Sequence, residues 1–378
     1  MKPNSISLLV IMLTFWWSGA HAQTARLSGQ ASVWGTATNQ DSQFGLQYIP
    51  ELSLATRIGE EYEVGLEGAL DASWFARYDG DERIDSEAAA ELYRLWVRFT
   101  SPQLELRAGL QKISFGPATL LRPLMWFDTL DPRDPLGLTD GVYGLLGRYY
   151  FLNNANVWLW VLYGNDELRG WETVPTDAHD PEFGGRVQWP VGPGEAGFSY
   201  HHRRLDPSGS WLSVLHPEQG SYTEQRVGID GKWDVGVGLW FEGTVTRQDF
   251  DVLEPRYERL FTVGMDYTFD IGNGPHLLAE QFVRSQSVRA LGSGNSQFTS
   301  ALSMDYPLSV LDRVSAIAYY DWDREDWLHF VAWRRTYDQW QVHVSAFWGP
   351  DRARDGGGGA GSAAYGGKGV QFMLVFNH

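Results

Sequence analysis

The 378-residue sequence contains no cysteine, so disulfide bonds, thiolate metal sites and cysteine nucleophiles are all excluded. Basic residues are also scarce, because 30 Lys and Arg stand against 47 Asp and Glu, for a formal net charge of −17. A chain with this charge repels phosphate, which argues against nucleic acid as a partner. We therefore expect its partners to be molecules other than nucleic acids.

Long apolar runs are almost absent too. Beyond the N-terminus no segment reaches the roughly 18 uninterrupted apolar residues of a membrane-spanning helix. The one apolar run, Ser7 to Trp17, follows Lys2 and precedes Ala20-His21-Ala22, which fits the A-x-A pattern of a signal-peptide cleavage site. We therefore predict a signal peptide over residues 1–22 and an exported mature chain over residues 23–378.

Aromatic residues are abundant, with 18 Trp, 17 Tyr and 19 Phe, and this argues against a disordered chain. Segments of about ten residues recur with period-2 alternation while long amphipathic helical patterns are nearly absent, which predicts an all-β fold. We place 18 strands near residues 25–37, 44–58, 61–77, 89–100, 103–114, 142–151, 155–163, 183–190, 194–204, 222–233, 236–249, 257–270, 275–288, 297–306, 311–321, 326–335, 338–348 and 368–377. A merged or missed hairpin would change the number by two, so 16 strands is the alternative.

The connections between these strands alternate between short turns and longer segments. The longer segments are residues 78–88, 115–141, 164–182, 205–221, 250–256, 289–296 and 349–367. In bacterial outer-membrane barrels the short turns face the periplasm and the longer loops face the outside. The sequence therefore predicts one domain over residues 23–378, a closed antiparallel transmembrane β-barrel with short periplasmic turns and longer extracellular loops.

Many of the predicted strands have one apolar face and one polar or charged face. In one strand, Tyr93, Leu95, Val97 and Phe99 alternate with Arg94, Trp96, Arg98 and Thr100. We expect the apolar face to meet lipid, because 18 strands enclose a lumen too wide for side chains to fill and water must occupy it. Three segments, 155–163, 275–288 and 326–335, do not separate into two faces, and no facing is predicted for them.

Arginines recur on the face predicted to line the lumen. We name six of them the basic row: Arg94, Arg98, Arg107, Arg148, Arg186 and Arg226. A wall of low dielectric constant focuses the field of such charges, so the basic row is compatible with a path for anions. The alternative is that these arginines pair with lumen acids across strands, and the sequence leaves both interpretations open.

Segment 115–141 is unusually apolar for an outer loop. Its large apolar side chains are Leu120, Leu121, Leu124, Met125, Trp126, Phe127 and Leu130. Exposing them to water would cost about 25 cal/mol per Å², so we expect the loop to pack against the inner wall of the barrel and to narrow the pore. It would then bring six charged residues near the strand arginines: Arg122, Asp128, Asp131, Arg133, Asp134 and Asp140. The alternative is a lid that rests on top of the barrel.

On these grounds the chain resembles the porin-like β-barrels of Gram-negative outer membranes, through its signal peptide, alternating strands, rim asymmetry and C-terminal amphipathic strand. The resemblance implies an outer-membrane channel for the passive diffusion of small hydrophilic solutes, in contact with lipid and lipopolysaccharide. In such barrels an infolded third outer loop often constricts the pore, and segment 115–141 is about the third. Those barrels commonly end in Phe or Trp, whereas here Phe376 is followed by Asn377 and His378. Association into homotrimers is left open.

Two other functions are compatible with the same barrel. One is a plugged barrel that acts as a surface-binding or structural protein. The other is an outer-membrane hydrolase, which would need a histidine, an acid and a hydroxyl to converge in space. The sequence has neither H-E-x-x-H nor G-x-S-x-G, and its nine histidines are scattered. We therefore expect no enzymatic activity, no metal site and no cofactor.

Overall fold

The computed structural model describes residues 23–208, 222–249, 256–290, 292–350 and 365–378. The predicted signal peptide lies outside the described residues, as do parts of the outer connections near residues 209–221, 250–255 and 351–364. Among the described residues there is no helix long and apolar enough to cross a membrane.

The described chain forms 18 strands, as the sequence predicts. They are β1 Gln23–Thr38, β2 Ser42–Ile58, β3 Tyr62–Asp79, β4 Glu82–Thr100, β5 Leu104–Gln111, β6 Val142–Tyr150, β7 Asn156–Leu162, β8 Glu182–Val191, β9 Gly194–Leu205, β10 Tyr222–Asp234, β11 Gly238–Gln248, β12 Tyr257–Thr268, β13 His276–Ser287, β14 Asn295–Pro307, β15 Asp312–Asp321, β16 Asp326–Thr336, β17 Trp340–Trp348 and β18 Lys368–Asn377.

The strands form one closed antiparallel sheet. Each strand pairs with its neighbours in the sequence, and β1 pairs with β18 from Gln30 opposite Asn377 to Thr38 opposite Gly369. The ladder continues by one residue beyond β18, because Gly29 and His378 exchange two backbone hydrogen bonds of 3.1 and 3.0 Å. Closure satisfies the backbone groups that an open sheet would leave unpaired at its edges. The predicted closed antiparallel barrel is confirmed.

The outer surface of the barrel is apolar. In β14, Leu302 is 51% exposed while its neighbour Ala301 is 3% exposed. In β18, Phe372 is 53% exposed while Met373 is 4% exposed. Large apolar side chains that alternate in this way around a closed sheet form the band that meets acyl chains. Most polar residues of these two strands lie on the inner face, as do the arginines of the basic row on β4, β5, β6, β8 and β10.

The prediction of an outer loop over residues 78–88 is wrong. β3 and β4 continue through this segment and meet at a turn of two residues, Gly80-Asp81. Its Asp, Glu and Ser residues suggested a loop by composition, but cross-strand pairs such as Arg77 and Asp85, whose charged groups are 3.6 Å apart, extend the ladder. The predicted strand 103–114 is also too long, since β5 ends at Gln111.

Two outer connections carry the candidate site. The connection between β5 and β6, residues 112–141, is the third on its rim and is named L3. The connection between β7 and β8, residues 163–181, is the fourth and is named L4. The first two are short, at residues 39–41 and 80–81, so L3 is the first long segment available to fill the lumen.

Candidate pore constriction

L3 crosses the inside of the barrel and bonds to the wall formed by β11 and β13. The backbone N–H groups of Ala118 and Leu124 donate to the Glu242 carboxylate at 2.7 and 3.0 Å. The N–H groups of Thr119, Leu120 and Leu121 donate to the Glu280 carboxylate at 2.7, 3.0 and 2.6 Å. Both carboxylates point inward from their strands, which places this part of L3 within the lumen.

Close approach of L3 to its neighbours depends on two glycines with positive φ. Gly116 has a φ of 93°, and a Cβ atom there would overlap the Glu242 carboxylate. Gly170 of L4 has a φ of 51°, and a Cβ atom there would overlap the carbonyl oxygen of Met125 in L3. Any other residue at these positions would add backbone strain and push L3 away from its contacts.

The apolar side chains of L3 are buried in two clusters. In the first, Phe115, Leu124, Trp126 and Phe127 pack against Val142, Leu146, Trp160 and Leu162 of the wall. In the second, Ala118, Leu120 and Leu121 pack against a set of wall residues that includes Trp240, Leu278, Phe282, Phe330 and Phe347. Full burial of one such large side chain stabilises the packed state by about 1.5–3 kcal/mol. Together the two clusters fix L3 across the lumen.

Most of the charged residues of L3 are compensated within the loop. Arg122 pairs with Asp128 at 2.9 Å, and Arg133 pairs with Asp131 at 2.7 Å. Asp134 accepts hydrogen bonds of 3.0 Å from the N–H groups of Leu136 and Leu138. Asp140 is the exposed member of the six predicted residues. These charges therefore order the loop, and among the described residues none of them forms an ion pair with an arginine of the basic row.

Five of the six arginines of the basic row have a carboxylate partner. The pairs are Arg98 with Glu63 at 2.9 Å, Arg107 and Arg148 with Glu105 at 2.8 and 3.5 Å, Arg186 with Asp230 at 2.6 Å, and Arg226 with Glu172 and Glu224 at 2.8 and 2.6 Å. Arg94 instead donates to the backbone carbonyls of Thr139 in L3, at 2.6 Å, and of Tyr93, at 2.5 Å. The row is therefore an alternation of positive and negative groups.

The basic row divides into a wet part and a dry part. On β3 and β4 the paired side chains of Glu63 and Arg98 are 34% and 32% exposed. On β8 and β10 the side chains of Arg186 and Arg226 are only 3% and 6% exposed. Water therefore reaches the inner wall at Glu63 of β3 and Arg98 of β4, whereas L3 covers Arg94 of β4. L3 and L4 cover the inner face of β8–β10.

L4 also folds inward, which the sequence did not predict. The indole N–H of Trp171 donates to the carbonyl of Arg122 in L3 at 2.8 Å, and its ring stacks on Phe282 at a centroid distance of 4.9 Å. Arg169 pairs with Glu182 at 2.9 Å at the base of L4. A tryptophan in a connection otherwise rich in polar residues and glycine was the signal that could have revealed this second infolded loop.

An acidic cavity of about 470 Å³ lies at the outer rim between β4, L3 and L4. Its lining includes Glu91, Asp140, Asp166 and Glu167. Burial raises the pKa of Glu167 above its usual range, and the neighbouring charges of Asp140 and Glu91 raise it further. This part of the outer rim therefore carries more acidic than basic side chains.

Comparisons with known proteins identify solved structures of similar fold. No protein-family model matches the sequence, and no match is found among curated proteins. Similar solved structures include Acinetobacter baumannii OccAB1, with a TM-score of 0.57, 10% identity and coverage of 94% of this chain and 95% of that chain. Pseudomonas aeruginosa OccK5 (OpdH) has a TM-score of 0.56, 10% identity and coverage of 94% and 97%. The anion-selective porin from Comamonas acidovorans has a TM-score of 0.51, 13% identity and coverage of 94% and 100%.

At these identities the likeness is one of fold. It covers nearly the whole described barrel and agrees with its closed sheet and apolar outer band. The chain therefore has the fold of the outer-membrane porins, in the form of a closed barrel of 18 antiparallel strands.

Proposed function

We propose that the protein is an outer-membrane channel through which small hydrophilic solutes diffuse passively, with L3 as the constriction. The observation that best supports this proposal is that part of the inner wall is exposed to water while another part is buried under L3 and L4. The charged side chains of Glu63 on β3 and Arg98 on β4 keep about a third of their surface exposed. L3 and L4 bury those of Arg186 on β8 and Arg226 on β10. A wet strip of wall beside an infolded loop is the arrangement expected of a narrowed pore.

Recording from planar bilayers tests the channel. The purified barrel should give discrete conductance steps, and replacing residues 119–140 by a short Gly-Ser linker should enlarge them, because the lumen then loses its largest obstruction. Far-UV circular dichroism provides the control that both proteins are folded. Absence of steps from a folded parent barrel would contradict the proposal.

Both signs of charge line the wet strip, so its charge preference depends on how completely the arginines are compensated. Arg94 is the member of the basic row without a carboxylate partner among the described residues, and it is buried against L3, where it donates to the Thr139 carbonyl. We expect Arg94→Ala combined with Arg98→Ala to reduce any preference for anions, measured as a shift of reversal potential in a salt gradient. An unchanged reversal potential would remove the basic row from the proposal.

The plugged barrel remains a second candidate, and the two buried clusters between L3 and the wall favour it. It predicts that the parent barrel shows no conductance and that only the linker variant does. The same recording therefore separates the two candidates. For a hydrolase, the buried His201 is unsuited as a base, since its Nδ1 accepts from the indole N–H of Trp160 at 3.1 Å and its Nε2 lies 3.1 Å from Glu182.

The cellular context of the channel is part of the same proposal. Cleavage after Ala22 would give a mature protein that begins at Gln23, the first residue of β1, and N-terminal sequencing of protein from the outer membrane tests this. The apolar band would contact lipid and lipopolysaccharide. Whether three barrels associate is tested by cross-linking in the native membrane.

A further inference from the structure

Two buried carboxylates in the barrel wall form no ion pair among the described residues. Glu242 is 0% exposed and Glu280 is 3% exposed. Within the described residues neither forms an ion pair, whereas other buried wall acids such as Glu224 and Asp230 pair with arginines. An isolated buried carboxylate is unfavourable unless other groups stabilise its charge.

Backbone N–H groups of L3 take the place of the missing cation. The N–H groups of Thr119, Leu120 and Leu121 all point to Glu280, and a fourth donor is the indole N–H of Trp240 at 3.1 Å. Successive N–H groups that converge on one point form a concave site for anions, called a nest. Because hydrogen bonds to a charged acceptor are stronger than neutral ones, the nest and the carboxylate stabilise each other.

The rest of L3 holds the nest in place around this carboxylate. The hydroxyl of Thr262 donates to the carbonyl of Leu121 at 2.6 Å, so Leu121, the last residue of the nest, is held through both its N–H and its C=O. Glu242 binds the N–H groups that flank the nest, those of Ala118 and Leu124. The side chains around the site are apolar and include Leu121, Leu260 and Leu278. Water therefore competes little for the donors.

From these contacts we propose that residues 119–121 of L3 form an anion-receptor site that is filled by the wall's own Glu280, and that this internal anion fixes L3 across the lumen. The receptor takes a carboxylate as its ligand. A small soluble carboxylate such as formate should therefore occupy the site when the Glu280 side chain is shortened, and should return L3 to the wall. The importance of this site for function rests on the proposed role of L3 as the constriction.

The test reads the position of L3 without using conductance. Because the natural sequence has no cysteine, Ala118→Cys supplies a single thiol at a position that is 5% exposed when L3 is docked. Its rate of reaction with a membrane-impermeant maleimide is measured in otherwise natural protein and in Glu280→Ala, in sodium chloride and in sodium formate of equal ionic strength. Leu152→Cys, 92% exposed in the turn between β6 and β7, is the thiol control and should react equally in every case.

We expect Glu280→Ala to raise the labelling rate of the thiol by about tenfold or more in chloride, because the backbone of L3 loses its three hydrogen bonds to a charged acceptor. Formate should bring the rate back to that of the parent. Glu280→Gln, which keeps the size of the side chain, should give an intermediate rate that formate does not change. Glu258→Ala is the matched control, because Glu258 faces the lumen from β12 but pairs with Arg284 at 2.7 Å, and it should label like the parent.

An unchanged labelling rate in Glu280→Ala and in Glu280→Gln would overturn the proposal. So would a raised rate that formate leaves unaltered, since the N–H groups would then not act as a receptor. If Glu280→Ala fails to fold by circular dichroism, the comparison rests on Glu280→Gln, whose parent-like rate would reject the site. If labelling follows the expectation but the conductance of Glu280→Ala equals that of the parent, the receptor stands and the role of L3 as the constriction fails.

Discussion

At the scale of single residues, the ion pairs of the lumen differ in how much stability is lost when one partner is removed. Arg186 donates two hydrogen bonds to Asp230, at 2.6 and 2.8 Å, and both side chains are buried. Asp230→Ala would leave the buried guanidinium without its carboxylate, which costs about 3–5 kcal/mol. We expect a clearly lower apparent unfolding temperature in detergent, measured by circular dichroism at one fixed scan rate.

The control for this prediction is a more exposed pair of the same type. Arg313 and Asp305 lie 3.1 Å apart, and their side chains are 49% and 29% exposed. Water and salt screen such a pair, so Asp305→Ala should change stability by no more than about 1 kcal/mol. Equal effects of Asp230→Ala and Asp305→Ala would show that burial does not set the dependence of these charges on their partners.

At the scale of elements, L4 acts as a support for L3. Trp171 bonds to the Arg122 carbonyl and stacks on Phe282 of β13, so one side chain joins L4, L3 and the wall. We expect Trp171→Ala to release L3 and to increase the single-channel conductance and its fluctuations. Trp171→Phe keeps an aromatic ring but removes the indole N–H, and should give a smaller change in the same direction. If Trp171→Ala conducts like the parent, L4 does not support L3.

At the scale of the whole molecule, the barrel is stable because its two faces meet two different solvents. Leu302 lies near the middle of β14 on the outer face, whereas the next residue, Ser303, faces the lumen. An arginine on the lipid face near the bilayer midplane costs about 2–4 kcal/mol. We expect Leu302→Arg to reduce the yield of folded barrel in lipid vesicles far more than Ser303→Arg does, measured by resistance of the folded barrel to protease. Equal yields would mean that Leu302 does not face lipid.

Much of the barrel follows from local patterns in the sequence. The 18 strands and the facing of many of them could be predicted because alternation of apolar and polar residues is a property of each strand by itself. The extension of β3 and β4 through residues 78–88 was missed because its charged residues stabilise a ladder by cross-strand pairing, and such pairing is not visible in either strand alone. The three segments without predicted facing are β7, β13 and β16. Their lumen faces are partly apolar, with Trp160, Phe282 and Phe330, because they pack in the two clusters that hold L3.

The placement of the loops and the partners of the arginines were decided only by the tertiary structure. L3 binds carboxylates that lie more than a hundred residues away, since the pairs Ala118 with Glu242 and Thr119 with Glu280 are separated by 124 and 161 positions. Asp230, the partner of Arg186, is likewise brought close over a separation of 44 positions, by the pairing of β8 and β10 with β9. Strand alternation depends on neighbours one and two residues away, so the sequence by itself determined the wall, whereas the contents of the lumen depend on contacts that exist only once the barrel has closed.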